Sequence, residues 1–388
     1  MTRTKIGVIG CGTISDIYLT NLTTRYTAVE VVAVADMFIE KAEATAQKYG
    51  IAKFYSTHDL LADPEVEIVL NLTIPAAHTE INLAALEAGK HVYCEKPLAL
   101  NMADADKTLA LAKAKGLFVG CAPDTFMGAG LQTCRKLIDE GWIGEPVSAT
   151  ANMICHGHES WHPAPEFYYK KGAGPMMDMG PYYITALVNL LGPIEKLNCF
   201  AGRTFDRRKI TSKAQKGKIV DVEVLTNYFG LLKFSSGVIA NITMSFDIWL
   251  SNLPCIEIYG TKGTLIVSDP NMFAGTVKVL RGENMLDSVD GMDVGDAVRK
   301  IHSPEMHDLF KVIPLPYEGA QNNLRGLGLL DMALAIQENR PFRANSELAY
   351  HVTEALVNFD TCASSGDPYV MTSTCEMPEP MVVGTSLY

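Results

Sequence analysis

Residues 5–15 read KIGVIGCGTIS, an apolar run that ends in a glycine-rich turn of the pattern GxGxxS. A strand, this turn and a helix together form the phosphate-binding element of dinucleotide-binding folds. Gly10 permits the tight turn, Gly12 lets the backbone approach a pyrophosphate, and the small Ser15 lets the helix pack on the strand. The helix then directs its N-terminal amides at the phosphates. The residues predicted to bind the nucleotide here are Gly10, Gly12, Thr13 and Ile14.

The turn opens a longer pattern, because residues 1–122 alternate short β-branched runs with helical stretches. This alternation is typical of βαβ units, which build a parallel sheet with helices on both faces. Strands are predicted at 5–10, 29–36, 66–72, 91–94 and 117–121, and helices at 76–88 and 101–115. We therefore predict that residues 1–122 form an α/β nucleotide-binding domain.

Two polar groups follow predicted strands at the edge of the sheet where ligands bind in such folds. Asp36 ends the second strand, where a carboxylate accepts hydrogen bonds from the adenosine ribose. An NADP site would place a cation directly after this strand, whereas Met37 and Phe38 stand there, so NAD is favoured over NADP. Glu95-Lys96-Pro97 follows the run 91–94, and a lysine in that place reaches solvent or a charged partner.

The pattern changes after residue 122. Apolar and polar residues alternate over 238–246, which is typical of a half-buried antiparallel strand. Turns are predicted at 235–237 and 261–263. Residues 123–388 are therefore expected to form an α+β domain. The segment 281–311 is polar, rich in Gly and Asp and without period, which predicts a loop insertion, a lid or an irregular surface excursion.

These motifs together resemble the glucose-fructose oxidoreductase / inositol dehydrogenase (Gfo/Idh/MocA) family. The resemblance also includes TIPAAH at 73–78, GAGPMMDMGPY at 172–182, similar to the family's GGGxxxDxGxH, and GTKGT at 260–264. It implies a Rossmann domain followed by an open, mainly antiparallel sheet whose outer face serves for homo-oligomerisation. It also implies cofactor contacts from Thr73, His78, Glu95 and Lys96.

Two departures from the family pattern define a subgroup. Tyr182 stands where most members have histidine, as in the branches that resemble glucose-fructose oxidoreductase and dimeric dihydrodiol dehydrogenase. Ile74 and Pro75 replace the usual Pro-Asn. The loop is still expected to pass near the nicotinamide, but its individual contacts are not predicted. The tyrosine indicates a tyrosine-type member of the family.

Asp178 and Tyr182 are spaced i, i+4 and share one helix face, although Pro181 predicts a kink or a helix start near Gly180. Alcohol oxidation requires a base for the hydroxyl proton, and a nearby ammonium brings a phenol closer to working pH. The hypothesis is that Tyr182 is the acid/base, that Lys96 tunes it and binds the reacting oxygen, and that Asp178 orients the group. In an alternative, Lys96 itself transfers the proton.

The segment CHGHESWH at 155–162 is the densest polar and aromatic cluster of the chain. It is interpreted as a substrate loop, in which Trp161 stacks on a pyranose ring and His158 or His162 binds hydroxyls. The alternative is a surface loop that is aromatic by chance. A metal is not predicted, because the spacing matches no zinc signature. Arg325 is left out of the site, because such an arginine more often makes interdomain or subunit salt bridges.

Composition limits the remaining function classes. The chain has 388 residues and a formal net charge of −11 without a basic run, which disfavours nucleic acid and anionic membrane surfaces. The sequence has no run of about 18 apolar residues, so no membrane span is predicted. Nine cysteines without a CxxC pair favour reduced thiols and a cytoplasmic location.

Two functions follow from the motifs. The first is an NAD(P)-dependent dehydrogenase that moves a hydride between a secondary alcohol of a sugar, glycoside or cyclic polyol and nicotinamide, with trans-dihydrodiol oxidation as a variant. The second is a non-catalytic regulator that senses NAD and sugar on the same fold. The first is favoured, because Lys96, Asp178 and Tyr182 are all present.

Overall fold

A six-stranded parallel sheet forms the first part of the protein, whose computed structural model describes residues 3–319 and 322–384. The strand order is β3-β2-β1-β4-β5-β6. Each pair of neighbouring strands is parallel, which confirms the predicted α/β fold. The strands are β1 (Thr4–Ile9), β2 (Val29–Ala35), β3 (Lys53–Tyr55), β4 (Ile68–Asn71), β5 (His91–Cys94) and β6 (Val119–Cys121). The helices are α1 (Ser15–Thr24), α2 (Ile39–Tyr49), α3 (Thr57–Ala62), α4 (His78–Glu87) and α5 (Met102–Lys115).

Local sequence signals explain the helix ends in this part. The Asn101 side chain accepts a hydrogen bond from the Asp104 amide at the start of α5, and Gly116 adopts the left-handed conformation at its end. The predicted helix at 76–88 begins later than expected, because Pro75–Ala77 forms a 3₁₀ turn before α4. β3, α2 and α3 were not predicted.

The second part is built on a nine-stranded mixed sheet in the order β16-β15-β14-β13-β7-β12-β11-β8-β17. All its neighbouring strands are antiparallel except β7 and β12. Its strands are β7 (Pro146–Ile154), β8 (Ile194–Gly202), β11 (Asn227–Phe234), β12 (Ile239–Ser245), β13 (Ile256–Gly260), β14 (Gly263–Val267), β15 (Val277–Arg281), β16 (Lys311–Ile313) and β17 (Tyr369–Val370). A separate ribbon pairs β9 (Arg207–Lys209) with β10 (Ile219–Asp221).

Six helices accompany this sheet. They are α6 (Ala129–Asp139), α7 (Gly174–Leu191), α8 (Gly282–Asp287), α9 (Val294–Ile301), α10 (Leu327–Glu338) and α11 (Ser346–Ser365). α7 and α11 pack on one face of the sheet, and β11 alternates accordingly. Its Tyr228, Leu232 and Phe234 are buried, while Phe229 and Leu231 face outward. The predicted α+β domain with an open sheet is confirmed.

The prediction of an irregular loop at 281–311 is wrong. The segment contains α8, α9 and a 3₁₀ stretch, Pro304–Leu309, and then β16 pairs with β15. α8 and α9 bury none of their residues fully. The apolar residues of α9 nevertheless repeat at helical spacing, a signal that the sequence analysis overlooked: Val294, Ala297, Val298 and Ile301.

The prediction of a helix start near Gly180 is also wrong, because α7 runs from Gly174 through Pro181 to Leu191. Pro175 lies in the first turn, where proline is tolerated. Pro181 cannot donate to the carbonyl of Met177. The next carbonyl, of Asp178, accepts a hydrogen bond from the Lys96 ammonium at 2.6 Å.

The chain returns to the first sheet before α10. The Asn21 side chain on α1 donates to the carbonyls of Asn323 and Arg325, at 2.9 and 2.8 Å. The Tyr26 hydroxyl donates to the carbonyl of Leu324. Residues 323–325, which are distant in sequence, thus lie against the helix α1 of the first part. Within the described ranges, no helix combines the length and the apolar character needed to cross a bilayer.

Candidate active site

The glycine turn between β1 and α1 has the shape of a phosphate cradle. Gly10 has φ +105, and a Cβ there would lie 2.6 Å from the carbonyl oxygen of Leu72. A Cβ on Gly12 would meet nothing within 4 Å, so the turn is open on that side. Ser15 closes the turn, since its hydroxyl donates to the Gly12 carbonyl at 2.7 Å. The open backbone at the N-terminus of α1 fits the pyrophosphate of a dinucleotide.

Asp36 lies directly after β2 beside this turn. Its carboxylate accepts hydrogen bonds from the amides of Cys11 and Phe38, at 2.8 and 3.0 Å. This holds the carboxylate at the position expected for ribose contacts. Lys41 on α2 was not considered in the sequence, yet its ammonium lies 4.9 Å from the Phe38 ring centroid. A cation therefore lies beside Phe38, the second residue after Asp36.

The predicted cofactor residues after β4 differ in their surroundings. The Thr73 amide and hydroxyl both donate to Oδ1 of the buried Asn71. His78 is buried, with Nδ1 2.8 Å from the Pro97 carbonyl and Nε2 3.0 Å from the Thr73 carbonyl. Burial lowers the pKa of His78, but Cys94 and the two carbonyls raise it to about 9. His78 therefore braces the loops that follow β4 and β5, and faces protein atoms on both sides.

Glu95 and Lys96 follow β5 at the same edge of the sheet. Glu95 is buried and accepts hydrogen bonds from the Tyr18 hydroxyl, at 2.7 Å, and from the Lys96 amide, at 3.0 Å. The tyrosine stands on α1, so this contact ties the glycine-turn helix to the end of β5. The Lys96–Pro97 peptide is cis.

Lys96 crosses from the first sheet to α7 of the second part. Its ammonium lies 2.9 Å from Oδ1 of Asp178, and the two side chains are 16% and 18% exposed. Burial lowers the pKa of Lys96, but Asp178 and other neighbours raise it above the ordinary range. Burial raises the pKa of Asp178, but Lys96 and His158 lower it to about 2. Both groups are therefore charged at neutral pH.

Tyr182 lies one helical turn after Asp178, with its ring centroid 5.2 Å from the Lys96 ammonium. Burial raises the pKa of Tyr182, while the charges of Lys96 and Arg325 act to lower it. Arg325 was left out of the predicted site, and the structure brings its charge close enough to act on Tyr182. Nothing in the local sequence marks it, because only the return of the chain before α10 brings it here.

The loop that follows β7 carries His158, whose Nε2 lies 3.5 Å from Oδ2 of Asp178. Its ring contacts Trp161, Tyr168 and Phe246 at centroid distances of 5.1, 4.3 and 4.6 Å. Trp161 is 62% exposed. His162 lies edge-on to Trp161 at 5.4 Å, and its Nδ1 accepts a hydrogen bond from the Ala164 amide. The loop therefore brings an aromatic wall to the Lys96–Asp178 pair.

A buried cluster of Arg208, Glu159 and Asp247 holds this loop in place. Arg208 on β9 donates to Glu159 at 2.7 Å and also contacts the carboxylate of Asp247. Its guanidinium reaches the Phe246 carbonyl at 2.6 Å as well. Because all three charged side chains are buried and paired, they fix the loop residue that follows His158. Over residues 3–319 and 322–384, no group of three or more His, Cys, Asp or Glu side chains is arranged to hold a metal.

Sequence comparison identifies the family of both parts. The profile described as "Oxidoreductase family, NAD-binding Rossmann fold" matches residues 4–122. The profile described as "GFO/IDH/MocA C-terminal domain" matches residues 131–266. The two matches correspond to the parallel sheet and to a large part of the mixed sheet.

Individual relatives agree with the profiles. Trans-1,2-dihydrobenzene-1,2-diol dehydrogenase of Mus musculus is 29% identical over 280 residues, which are 71% of this chain and 78% of that protein. 1,5-Anhydro-D-fructose reductase of Ensifer adhaerens is 31% identical over 267 residues, 67% of this chain and 74% of that protein.

A solved structure of levoglucosan dehydrogenase with NADH and L-sorbose superposes with a TM-score of 0.76, at 19% identity. The superposition covers 96% of this chain and 100% of that one. At this identity the likeness concerns the fold, and it extends over both sheets. By profile and by relatives, the chain belongs to the Gfo/Idh/MocA family of oxidoreductases.

Proposed function

We propose that this protein is an NAD-dependent dehydrogenase that moves a hydride between a secondary alcohol of a sugar, glycoside or cyclic polyol and nicotinamide. The observation that carries the proposal is the meeting of Lys96, Asp178 and Tyr182 at the carboxyl edge of the parallel sheet. Ligands bind at this edge in open α/β folds. The open glycine turn at the same edge fits the nucleotide.

Bound NAD would supply the acceptor for the hydride that leaves the alcohol C–H as a ketone forms. The O–H proton of the alcohol passes to the phenolate of Tyr182, which becomes the neutral phenol. Lys96 donates a hydrogen bond to the reacting oxygen and stabilises the negative charge that develops on it. Asp178 holds the ammonium in place.

We propose Tyr182 rather than Lys96 as the acid/base. The raised pKa of Lys96 keeps it as an ammonium, which has no lone pair to accept a proton. Lys96 is then best suited to polarise the oxygen. The phenolate of Tyr182 can accept a proton in the oxidation, and its phenol can donate one in the reverse reaction.

The aromatic wall suits a ring with one apolar face and several hydroxyls. Trp161 presents an exposed face, and His158 and His162 lie beside it. Stacking on the tryptophan with hydroxyl contacts to the histidines is the recognition that we propose. Substituting Trp161 by Ala should raise KM for the sugar with little change in KM for NAD. An unchanged sugar KM would contradict the stacking.

NAD is proposed as the cofactor, because Asp36 lies at the strand end from which a carboxylate accepts hydrogen bonds from the adenosine ribose. Lys41 beside Phe38 is the cation nearest in sequence that could bind a 2′-phosphate instead. Titrating both dinucleotides against the purified protein decides it. Tighter binding of NAD supports the role of Asp36, and tighter binding of NADP contradicts it.

We propose that a second copy of the chain covers the outer face of the mixed sheet. Phe200 and Phe229 are register partners on β8 and β11, and Phe200 is 80% exposed. Leu231 and Ile239 are exposed on the adjoining strands. A flat apolar face of this kind matches a second copy of itself in a two-fold arrangement.

The function is tested by following the nicotinamide absorbance of purified protein with NAD and a panel of free hexoses, glucosides, inositols and dihydrodiols. Reduction of NAD by a sugar or polyol supports the proposal. Turnover of dihydrodiols alone would select the variant suggested by the dihydrodiol relative. Dinucleotide binding without any turnover would favour the regulator and overturn the dehydrogenase.

A further inference from the structure

Tyr18 is a fully buried tyrosine that links the nucleotide turn to the loop after β5. It lies on α1, three residues after Ser15, whose hydroxyl closes the turn on the Gly12 carbonyl. Its own hydroxyl donates to Oε1 of Glu95 at 2.7 Å. The chain that returns before α10 packs on the ring, since a Cβ on Gly326 would lie 3.5 Å from Cδ1 of Tyr18. These contacts give the ring one fixed position.

The Tyr18 hydroxyl is the donor in its contact with Glu95. Burial, Glu95 and Asp124 raise the pKa of Tyr18 well above its ordinary value, so the hydroxyl keeps its proton at neutral pH. Glu95 is buried too, and among the residues that the structure describes Tyr18 is the only side chain that donates to it. One of the two hydrogen bonds that its carboxylate accepts there therefore comes from Tyr18.

The second of these hydrogen bonds leads to Lys96. Oε2 of Glu95 accepts from the Lys96 amide at 3.0 Å, which fixes the backbone from which the lysine side chain starts. At the other end, the ammonium donates to the carboxylate and the carbonyl of Asp178, at 2.9 and 2.6 Å. Because lysine has a flexible four-carbon stem, the place of its ammonium depends on both ends.

We propose that Tyr18 is a positioning residue of this site: its hydroxyl holds the carboxylate of Glu95, and Glu95 in turn fixes the backbone of Lys96. The inference rests on the proposed dehydrogenase function and adds to it a link between the nucleotide turn and the lysine. The N-terminus of α1 faces the proposed pyrophosphate site, and Tyr18 lies on the same helix. A dinucleotide that orders this helix end therefore also orders the ammonium that polarises the substrate oxygen.

Tyr18→Phe keeps the ring and removes only the hydroxyl, so it isolates the proposed link. Glu95 and Lys96 are then held less firmly. Single-turnover formation of NADH at saturating NAD and sugar should slow by roughly 10- to 100-fold, since a misplacement of about 1 Å can have an effect of that size. KM for the sugar should change little, because the aromatic wall stays intact. A wild-type rate in Tyr18→Phe overturns the inference.

Tyr93→Phe is the matched control. Tyr93 is equally buried and lies on β5 two residues before Glu95, but its hydroxyl has no hydrogen-bond partner within the described part of the chain. The control removes the same group from the same neighbourhood without releasing Glu95, so its rate should match wild type. Equal slowing of the two variants overturns the inference.

A rescue experiment separates the lost hydrogen bond from a general loss of packing. Introducing 4-aminophenylalanine at position 18 places an N–H donor at the ring position that carries the hydroxyl in Tyr18. This donor can bond the carboxylate of Glu95 again, so part of the rate lost in Tyr18→Phe should return. A rate that stays as low as that of Tyr18→Phe contradicts the hydrogen bond as the cause.

Hydrogen exchange of the Lys96 amide gives a readout that does not need turnover. The amide signal is followed in protein with ¹⁵N-labelled lysine and is assigned by its loss in Lys96→Met. Tyr18→Phe should make this amide exchange roughly tenfold faster, the factor that corresponds to weakening one hydrogen bond to a carboxylate, and Tyr93→Phe should leave it unchanged. Unchanged exchange in Tyr18→Phe overturns the inference even if no substrate is found. Failure of the substrate panel with faster exchange affects only the proposed function.

Glu95→Gln breaks the same link from its other end and covers the case in which Tyr18→Phe does not fold. The amide offers one acceptor oxygen in place of two, so the Lys96 amide should again exchange faster. Adding Tyr18→Phe to Glu95→Gln should then have little further effect. If the effects of the two changes multiply, or if Glu95→Gln leaves the exchange unchanged, Tyr18 does not act through Glu95.

Discussion

Lys96 and Asp178 keep each other charged in a place that water barely reaches. Removing a buried charge from water is costly, and the cost is offset here by a 2.9 Å ion pair and by the hydrogen bond from Lys96 to the Asp178 carbonyl. The carboxylate also faces His158. The pair therefore provides a fixed positive group beside Tyr182, and that group does not need to change its protonation state during the reaction.

The raised pKa of Tyr182 sets the expected pH dependence. Oxidation uses the phenolate, which becomes more populated as pH rises toward that pKa, so kcat for oxidation should increase with pH above neutrality. Reduction of the ketone uses the neutral phenol, so its rate should hold at neutral pH and fall in the alkaline range. Steady-state rates in both directions over the pH range check this, and an oxidation rate that falls as pH rises above neutrality would contradict it.

The roles of Lys96, Asp178 and Tyr182 stay predictions, but their proximity could be predicted from sequence, because each lies in a local motif next to a recognisable strand end or helix. Arg325 could not, because its place in the cleft depends on hydrogen bonds from Asn21 on α1 to the segment before α10. His78 was expected to contact the cofactor, whereas its ring nitrogens face the carbonyls of Pro97 and Thr73. Sequence spacing indicates proximity to a site, and it does not indicate which way a ring points.

At the scale of elements, the two glycines of the β1–α1 turn have different roles: Gly10 is needed for the fold of the turn, and Gly12 for access of the cofactor. Ala at Gly10 would combine a left-handed φ with a contact of 2.6 Å to the Leu72 carbonyl, so Gly10→Ala should lower Tm. Gly12 is outside the left-handed region, and a Cβ there meets nothing within 4 Å. Gly12→Ala should therefore keep the wild-type Tm and weaken NAD binding.

Thermal unfolding and dinucleotide titration of both variants check this pair. Wild-type NAD affinity in Gly12→Ala would show that the backbone at Gly12 does not approach the cofactor. A wild-type Tm in Gly10→Ala would contradict the role of its conformation.

The ribbon of β9 and β10 supports the loop that carries His158. Arg208→Met would leave Glu159 and Asp247 buried without their cation, at a cost of about 3–5 kcal/mol. It should lower the free energy of unfolding by that amount and raise KM for the sugar more than KM for NAD. Chemical denaturation and steady-state kinetics measure the two effects.

Arg207→Met is the matched control for Arg208→Met. The neighbouring Arg207 has a side chain that is 73% exposed and pairs with Asp221 at the surface, whereas the Arg208 side chain is 3% exposed. An exposed pair contributes at most about 1 kcal/mol. Equal losses of stability in the two variants would contradict the role of the buried cluster.

Strong local signals predicted some elements well and were overlooked in others. α5 has an asparagine cap and a terminal glycine, and both ends match the prediction within a residue. The helical spacing of Val294, Val298 and Ile301 in the short helix α9 was overlooked, because Gly and Asp surround it, and the segment was interpreted as a loop. α7 continues through Pro181 because packing of its apolar length on the mixed sheet outweighs the single hydrogen bond that proline removes.

On the scale of the whole molecule, the site is assembled from both sheets. Lys96 comes from the parallel sheet, Asp178 and Tyr182 from α7, and Arg325 from the chain that returns before α10. A relative movement of the two parts would therefore change the distance between the polarising ammonium and the tyrosine. This arrangement lets the geometry of the reaction depend on how the parts close around the ligand.

The exposed outer face of the mixed sheet predicts self-association. One chain has a mass of 42.3 kDa, and light scattering of the wild type should give about twice that mass or more. Leu231→Lys places a charge in the apolar face and should lower the measured mass toward that of one chain. Ile219→Lys is the control, because Ile219 is also exposed but lies on β10, outside this sheet. A monomeric wild type, or equal dissociation of both variants, would contradict the proposed interface.

The central claim is that Tyr182 exchanges the proton while Lys96, held in place by Asp178, binds the reacting oxygen. Single-turnover formation of NADH by Tyr182→Phe, with Tyr183→Phe as the control, tests it most directly. Tyr183 is the next residue on α7, and its hydroxyl donates to the Asn152 carbonyl, away from Lys96. The account predicts that Tyr182→Phe binds NAD normally and forms NADH about 10²–10⁴-fold more slowly, while Tyr183→Phe stays near wild type. Near-normal NADH formation by Tyr182→Phe would contradict it.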